Sequence, residues 1–185
     1  MKALIFHIGQ DRYGLALRAL VRVLPVLRLK SLPLAPPYVA GLLDFHGDPV
    51  PVIDLTRLAG LEPAAPCFDT RIVLVDYATP DGAVHLLGLL AQRVRGVQEL
   101  AEATLAEAGV AGASFLGRVA GDDGGMIQLV ELAQLLPASV CAILFQPPAL
   151  IEAGPDRAGP READPGRADP GRADPGRADP GRAGP

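Results

Sequence analysis

The chain of 185 residues has no tryptophan, and only 4% of its residues are aromatic. Proteins that bind single-stranded nucleic acid stack the bases on aromatic side chains within a basic groove. This chain has few such side chains and a formal net charge of −4 at pH 7. We therefore expect no nucleic-acid partner, and a single-strand nucleic-acid-binding barrel remains only as an alternative.

Cysteine, histidine and serine are also scarce, which limits the chemistry available to the chain. Cys67 and Cys141 are too few for a disulfide framework or a four-ligand zinc site, and we expect both to be reduced and buried. His7, His46 and His85 do not have the spacing of metal ligands, and no serine lies in a nucleophile elbow. We predict a protein that is not an enzyme and that needs no cofactor or metal.

An acidic pair is the enzymatic alternative that the sequence leaves open. Asp44 and Asp54 would form a small hydrolytic site if the fold placed both carboxylates in one cleft, because a general acid and a general base must reach the same substrate. A structure that holds the two side chains apart would remove this alternative.

Long apolar runs are missing as well. No uninterrupted apolar stretch approaches the roughly 18 residues of a membrane span. The apolar stretch at residues 3–8 gives way to polar residues too early for a signal peptide. These two features predict a cytoplasmic protein with no direct membrane insertion.

The C-terminal part has an unusual composition. From residue 154 onward the chain contains no valine, leucine, isoleucine, phenylalanine or tyrosine, and the sequence Asp-Pro-Gly-Arg-Ala repeats from residues 164, 169, 174 and 179. Such a segment cannot bury enough apolar surface to offset the cost of ordering its backbone. We predict a domain at residues 1–150 and a disordered repeat tail at residues 151–185.

We expect a chain that lacks residues 154–185 to melt at the same temperature as the full chain, because the tail has no large apolar side chains to pack on the domain. Thermal unfolding followed by circular dichroism measures this. A large fall in the melting temperature would show that the tail is docked.

The first 150 residues contain many short apolar segments separated by turn signals, the pattern of an all-β sandwich or barrel. The predicted strands include residues 4–8, 12–17, 70–77 and 84–91, with a separate strand at 93–100. Residues 129–136, which precede Pro137, read as a short amphipathic helix.

The stretch at residues 32–55 holds five of the nineteen prolines and yet is mostly apolar. Interior prolines exclude a long helix, so we predict a turn at residues 46–48 followed by a strand at 50–55. Pro49 and Pro51 are two residues apart, and their missing N–H groups would face the same side of the strand. This favours a sheet edge or a bulge over a sheet centre.

Two blocks of this stretch carry a family resemblance. Residues 32–43 read Leu-Pro-Leu-Ala-Pro-Pro-Tyr-Val-Ala-Gly-Leu-Leu, and residues 47–55 read Gly-Asp-Pro-Val-Pro-Val-Ile-Asp-Leu. Together with Arg-Tyr-Gly-Leu-Ala-Leu at 12–17 and Thr-Arg-Ile-Val-Leu-Val at 70–75, they resemble the CheW-like family of chemotaxis adaptors. The resemblance implies an all-β fold of two SH3-like five-stranded β-barrel subdomains with short helices.

The resemblance also implies a function and partners. CheW-like adaptors are not enzymes; they couple the cytoplasmic tips of methyl-accepting chemoreceptors to the regulatory domain of a CheA-type histidine kinase. The implied location is cytoplasmic, with recruitment to membrane receptor arrays. The pathway would be chemotaxis or an alternative chemosensory system.

The chain departs from the family pattern at three places. Arg22 stands where the family usually has a glutamate. The family's Asn-x-Arg-Gly becomes Asp-Phe-His-Gly at residues 44–47, so a fixed cation is replaced by a titratable imidazole. The family's Val-Asp-x-Val becomes Ala-Gln-Arg-Val at 91–94. A dedicated set of partners is the preferred explanation, and relaxed selection is the alternative.

These positions and their neighbours give the predicted partner-binding residues, which are Leu20, Arg22, Val23, Asp44, His46 and Val97. For Leu20, Val23 and Val97 the alternative is an ordinary place in the core. Their exposure in the structure distinguishes the two possibilities.

Overall fold

A computed structural model describes residues 1–62, 67–101, 105–106, 115–122 and 124–145, and for residue 122 it describes only the backbone. All structural statements below concern these residues. The predicted disordered tail and the boundary after residue 150 lie outside them, so both remain predictions.

The described residues form nine strands and two short α-helices. The strands are β1 (Lys2–Ile8), β2 (Asp11–Ala16), β3 (Leu20–Pro25), β4 (Val39–Phe45), β5 (Asp48–Asp54), β6 (Arg71–Ala78), β7 (Val84–Glu99), β8 (Leu116–Asp122) and β9 (Gly125–Val130). The helices are α1 (Leu55–Leu58) and α2 (Ala138–Leu144), and single 3-10 turns lie at Leu17–Ala19 and Leu132–Gln134. None of the described helices is long and apolar enough to cross a membrane.

The strands divide into two SH3-like barrels of five strands, which confirms the predicted fold class. Barrel A has the order β7-β1-β2-β9-β8, in which β2 and β9 are parallel and the other neighbours are antiparallel. Barrel B has the order β3-β6-β7-β5-β4, in which β5 and β7 are parallel. Strand β7 belongs to both barrels.

The long strand β7 corrects the prediction of two separate strands. Its first half pairs with β6 from Val84 to Ala91, and its second half pairs with β1 from Gln92 to Glu99. The register with β1 shifts within the second half, between the pairs His7–Gln92 and Ile5–Gly96, and Arg93 in this interval has a φ of +47°. The bulge turns the strand from one barrel into the other without ending it.

Strand β1 shows why the sequence has so many uninterrupted apolar segments. Ala3 and Ile5 face the core of barrel A, while Leu4, Phe6 and Ile8 face a larger cluster to which strands of both barrels contribute. Both faces of the strand are therefore buried, so apolar residues occupy successive positions instead of alternating with polar ones. Barrel B has its own small core, which contains Leu43, Val50, Val52, Ile72 and Leu74.

The proline-marked strand is an edge along only half of its length. Strand β4 pairs with β5 from Asp48 to Ile53, whereas β7 pairs with the other side of β5 only from Val52 to Asp54. Pro49 and Pro51 precede that point, so their missing donors cost no ladder hydrogen bond to β7. The edge prediction is right for this part and wrong for Val52–Asp54.

Two further predictions need correction. The predicted amphipathic helix at residues 129–136 is instead the end of β9 followed by the 3-10 turn Leu132–Gln134. Cys67 is exposed, whereas Cys141 is buried as expected. The hydrogen bond between the Cys67 Sγ and the Thr70 Oγ1, at 3.3 Å, lowers the pKa of the exposed thiol.

Candidate partner-binding surface

The hairpin between β4 and β5 forms the first part of the candidate surface. Its two-residue loop is His46–Gly47, with φ values of +58° and +96°. Positive φ at both positions is the pattern of a type I′ turn, which matches the twist of the flanking strands. The Gly47 N–H donates to Asp44 Oδ1 at 2.8 Å, so Asp44 holds the loop while all three residues stay exposed.

A single aromatic ring joins the hairpin to β3. The Arg22 guanidinium lies 5.9 Å from the centre of the Phe45 ring, and the His46 imidazole meets the same ring edge-on, with centroids 4.5 Å apart. The structure thus brings Arg22 and His46 together around Phe45, while Asp44 bonds to the adjoining turn through the Gly47 N–H. Sequence reasoning missed Phe45, although it lies between Asp44 and His46 in the quoted motif.

Strand β3 supplies an apolar edge beside this cluster. Within the described part of the chain, β3 pairs with β6 and with no other strand. Val21 and Val23 on this strand are 44% and 37% exposed. The alternative of an ordinary core position is therefore wrong for Val23. Leu20 is half-buried and packs against the large shared cluster, so its position fits a core role.

Val97 is exposed but lies in the other barrel. It is 52% exposed and pairs with Leu4 in the β1–β7 ladder of barrel A. The core alternative is wrong for Val97 too. It does not belong to the cluster of Arg22, Phe45 and His46, because those residues lie in barrel B.

The comparison with protein families decides the class of the chain. A family model for the CheW-like domain matches residues 2–140. The chain belongs to the CheW-like family.

A solved structure supports the same fold for this CheW-like chain. It is similar to the scaffolding protein TtCheW from Thermoanaerobacter tengcongensis, with a TM-score of 0.66 and 24% sequence identity. The similarity covers 75% of this chain and 94% of that one. No curated protein sequence matches. The chain is thus a CheW-like scaffold or adaptor domain, a class that is non-catalytic, and this confirms the prediction that it is not an enzyme.

The positions of Asp44 and Asp54 exclude the alternative of an acidic-pair hydrolytic site. Asp54 is buried and begins helix α1, where its Oδ1 accepts from the Thr56 N–H at 2.9 Å and from the Arg57 N–H at 3.2 Å. Asp44 lies opposite Pro49, five residues back along β5, which is roughly 16 Å at the rise of an extended strand. The two carboxylates do not share a cleft, and no group of three potential metal-binding side chains occurs among the described residues.

Proposed function

We propose that this CheW-like chain couples the cytoplasmic tips of methyl-accepting chemoreceptors to the regulatory domain of a CheA-type histidine kinase, in chemotaxis or an alternative chemosensory pathway. The observation that supports this most is the exposed surface of barrel B. It combines the β3 edge with the cluster of Arg22, Phe45 and His46. The proposed location is the cytoplasm, at membrane receptor arrays.

The surface has the composition of an interface. Aromatic and arginine side chains are enriched where proteins bind each other, and an apolar centre with a polar rim is the usual arrangement. Here Val21 and Val23 provide exposed apolar area, and Arg22 and His46 flank the Phe45 ring. Among the described strands only β6 pairs with β3, so the other edge of β3 offers backbone groups that a partner's strand can pair with.

The mechanism is binding with a fixed geometry. An adaptor that holds a receptor tip and a kinase barrel at the same time can pass a change in one to the other only as a coupling free energy between the two contacts. Because β7 runs through both barrels, a displacement of one barrel is transmitted to the other through a continuous strand.

Co-purification tests the proposal. The full chain is mixed with the kinase regulatory domain and, separately, with a receptor cytoplasmic domain from the same organism. We expect both partners to be retained at physiological salt. The absence of both would contradict the adaptor function, and retention of single-stranded DNA at low salt would favour the nucleic-acid alternative.

Reversing the charge of Arg22 should weaken the kinase contact. We expect Arg22→Glu to raise the Kd for the kinase regulatory domain at least tenfold, about 1.4 kcal/mol, because the exposed guanidinium lies over the half-buried Phe45 ring. Arg28→Glu is the matched control, since Arg28 is also exposed but lies beyond the end of β3. Equal affinities of the two variants would remove Arg22 from the interface.

A further inference from the structure

An open cavity of about 290 Å³ lies on barrel A, against β1, β2 and β7. It lies on the barrel that does not carry the Arg22 cluster. Three neighbouring strands contribute its walls, and the side chains that matter here are Ile5, His7, Arg12, Arg95, Val97 and Gln98.

The charged groups of this cavity are all of one sign. Arg12 on β2 lies opposite His7 in the β1–β2 ladder, and the bulge of β7 places Arg95 on the other side of β1. None of the described residues that line the cavity is acidic. A chain with a net charge of −4 thus concentrates positive charge in one small opening.

A hydrogen bond holds Arg12 of the cavity in place, and another holds Arg93 of the neighbouring bulge, which is not among the lining residues. Arg12 Nη2 donates to Gln98 Oε1 at 3.3 Å across β1, and Arg93 at the bulge donates from Nη1 to Gln10 Oε1 at 3.4 Å. An amide oxygen orients a guanidinium without carrying a formal negative charge of its own. The opening therefore presents the oriented guanidinium of Arg12 and a positive potential to a partner.

The imidazole of His7 responds to this potential. Burial lowers the pKa of His7, and the charges of Arg93, Arg95 and Arg12 lower it further, against a backbone hydrogen bond with Arg93 that raises it. Its Nδ1 is buried and has no hydrogen-bond partner among the described residues. A negative charge near Arg12 and Arg95 would offset the repulsion and favour the protonated imidazole.

We propose that this opening binds an acidic side chain of a partner protein, with the carboxylate between Arg12 and Arg95 and an adjacent apolar side chain of the same segment against Val97. Guanidinium groups match the two oxygens of a carboxylate. Val97, at 52% exposed, provides apolar contact that a free anion would not use. The proposal does not depend on the chemosensory function, because it concerns barrel A alone.

Binding of a labelled peptide to the full chain tests the proposal. The probe is a fluorescein-labelled hexapeptide of alternating glutamate and valine, measured by fluorescence anisotropy at low salt, and the control peptide has glutamine in place of glutamate. We expect the glutamine peptide to bind at least tenfold more weakly. Equal binding of the two peptides would overturn the proposal.

Variants locate the site. We expect Arg12→Gln/Arg95→Gln to weaken binding of the glutamate peptide at least tenfold, while Arg28→Gln, an exposed position in the barrel B part of the chain, leaves it unchanged. Circular dichroism checks that each variant folds, and Arg95→Gln alone replaces the double variant if that fails to fold. Wild-type affinity in the folded variant would contradict the proposal.

Competition and pH complete the test. We expect inorganic phosphate to displace the peptide only at concentrations far above the peptide's Kd; displacement at similar concentrations would indicate a site for free anions instead.

Because a bound carboxylate raises the His7 pKa, binding takes up a proton, and affinity should increase as the pH falls from 8 to 6. His7→Gln should abolish this increase, and a pH-independent wild type would contradict the part assigned to His7.

Discussion

Gly88→Val is expected to lower the free energy of unfolding by ~1–3 kcal/mol, the usual cost of overpacking a core. Gly88 lies in β7 between Val52 of β5 and Leu74 of β6. A Cβ there would lie 2.9 Å from Val52 Cγ2 and 3.2 Å from Ile72 Cγ2. Both of those side chains are fully buried, so neither has space to move aside.

The strand shared by the two barrels also determines how the Gly88→Val variant should unfold. Because β7 is part of both barrels, we expect the variant to unfold in one transition in urea, with spectroscopic probes of either barrel giving the same midpoint. A melted barrel B beside an intact barrel A would contradict this coupling.

Gly121→Val is the matched control for the same substitution. Gly121 also lies in a strand, β8, but its Cβ would meet none of the described residues within 4 Å, and valine suits an open strand position. We expect its urea midpoint to stay close to that of the wild type. A similar loss in both variants would show that the effect comes from losing glycine rather than from the contact with Val52 and Ile72.

The local pattern of strands could be predicted well from the sequence, because turns and apolar runs are local features. The turn at His46–Gly47 and the strand after it were correctly placed, and so were the strands at β1, β2 and β6. The barrel architecture came from the family resemblance, since pairing between strands distant in sequence leaves no local signal. The parallel pairs β2–β9 and β5–β7 show this most clearly.

The continuity of β7 could not be predicted for a physical reason. The bulge lies between Gln92 and Gly96, and it begins at Arg93, with a φ of +47°, and ends at Gly96, with a φ of +124°. Arginine gives no indication of a positive φ, whereas glycine does. The sequence near Ala91–Val94 therefore reads as a break between strands although the backbone continues.

The candidate surface was predicted in part. The resemblance identified Arg22, Asp44 and His46, and the structure places Arg22 and His46 around one ring and Asp44 against the adjoining turn. It did not reveal that Val97 lies in the other barrel, because one strand serves both. The cavity of barrel A was also missed, since Arg12 and Arg95 are distant in the sequence and come together only through β1.

Gly41→Ala should have the largest effect on stability of the changes considered. Gly41 has a φ of +144°, and a Cβ at this position would lie 2.5 Å from the backbone oxygen of Lys30. The strained φ costs ~1–3 kcal/mol, and the overlap adds a further ~1–3 kcal/mol. Unlike a side chain, the Lys30 carbonyl cannot rotate away, because it accepts a hydrogen bond of 2.8 Å from the Leu42 N–H.

The isolated backbone bridge between Lys30 and Leu42 positions β4, the strand that carries Phe45 of the Arg22 cluster. Lys30 and Leu42 exchange two backbone hydrogen bonds of 2.8 Å, which attach the chain after β3 to β4 beside the Arg22 cluster. We therefore expect Gly41→Ala to weaken kinase binding as well as stability. A folded variant that kept full affinity would show that the bridge does not position the surface.

Gly47→Ala measures the free-energy cost of a positive φ without the steric overlap that Gly41→Ala adds. Gly47 has a φ of +96°, but a Cβ at this position would meet no atom of the described part of the chain within 4 Å, so only the conformational cost of ~1–3 kcal/mol applies. Urea denaturation of both variants measures the difference, which we expect to be at least about 1 kcal/mol in favour of Gly47→Ala. Equal stabilities would mean that Lys30 and β4 move apart at little cost, and that barrel B is held closed by its core side chains rather than by this bridge.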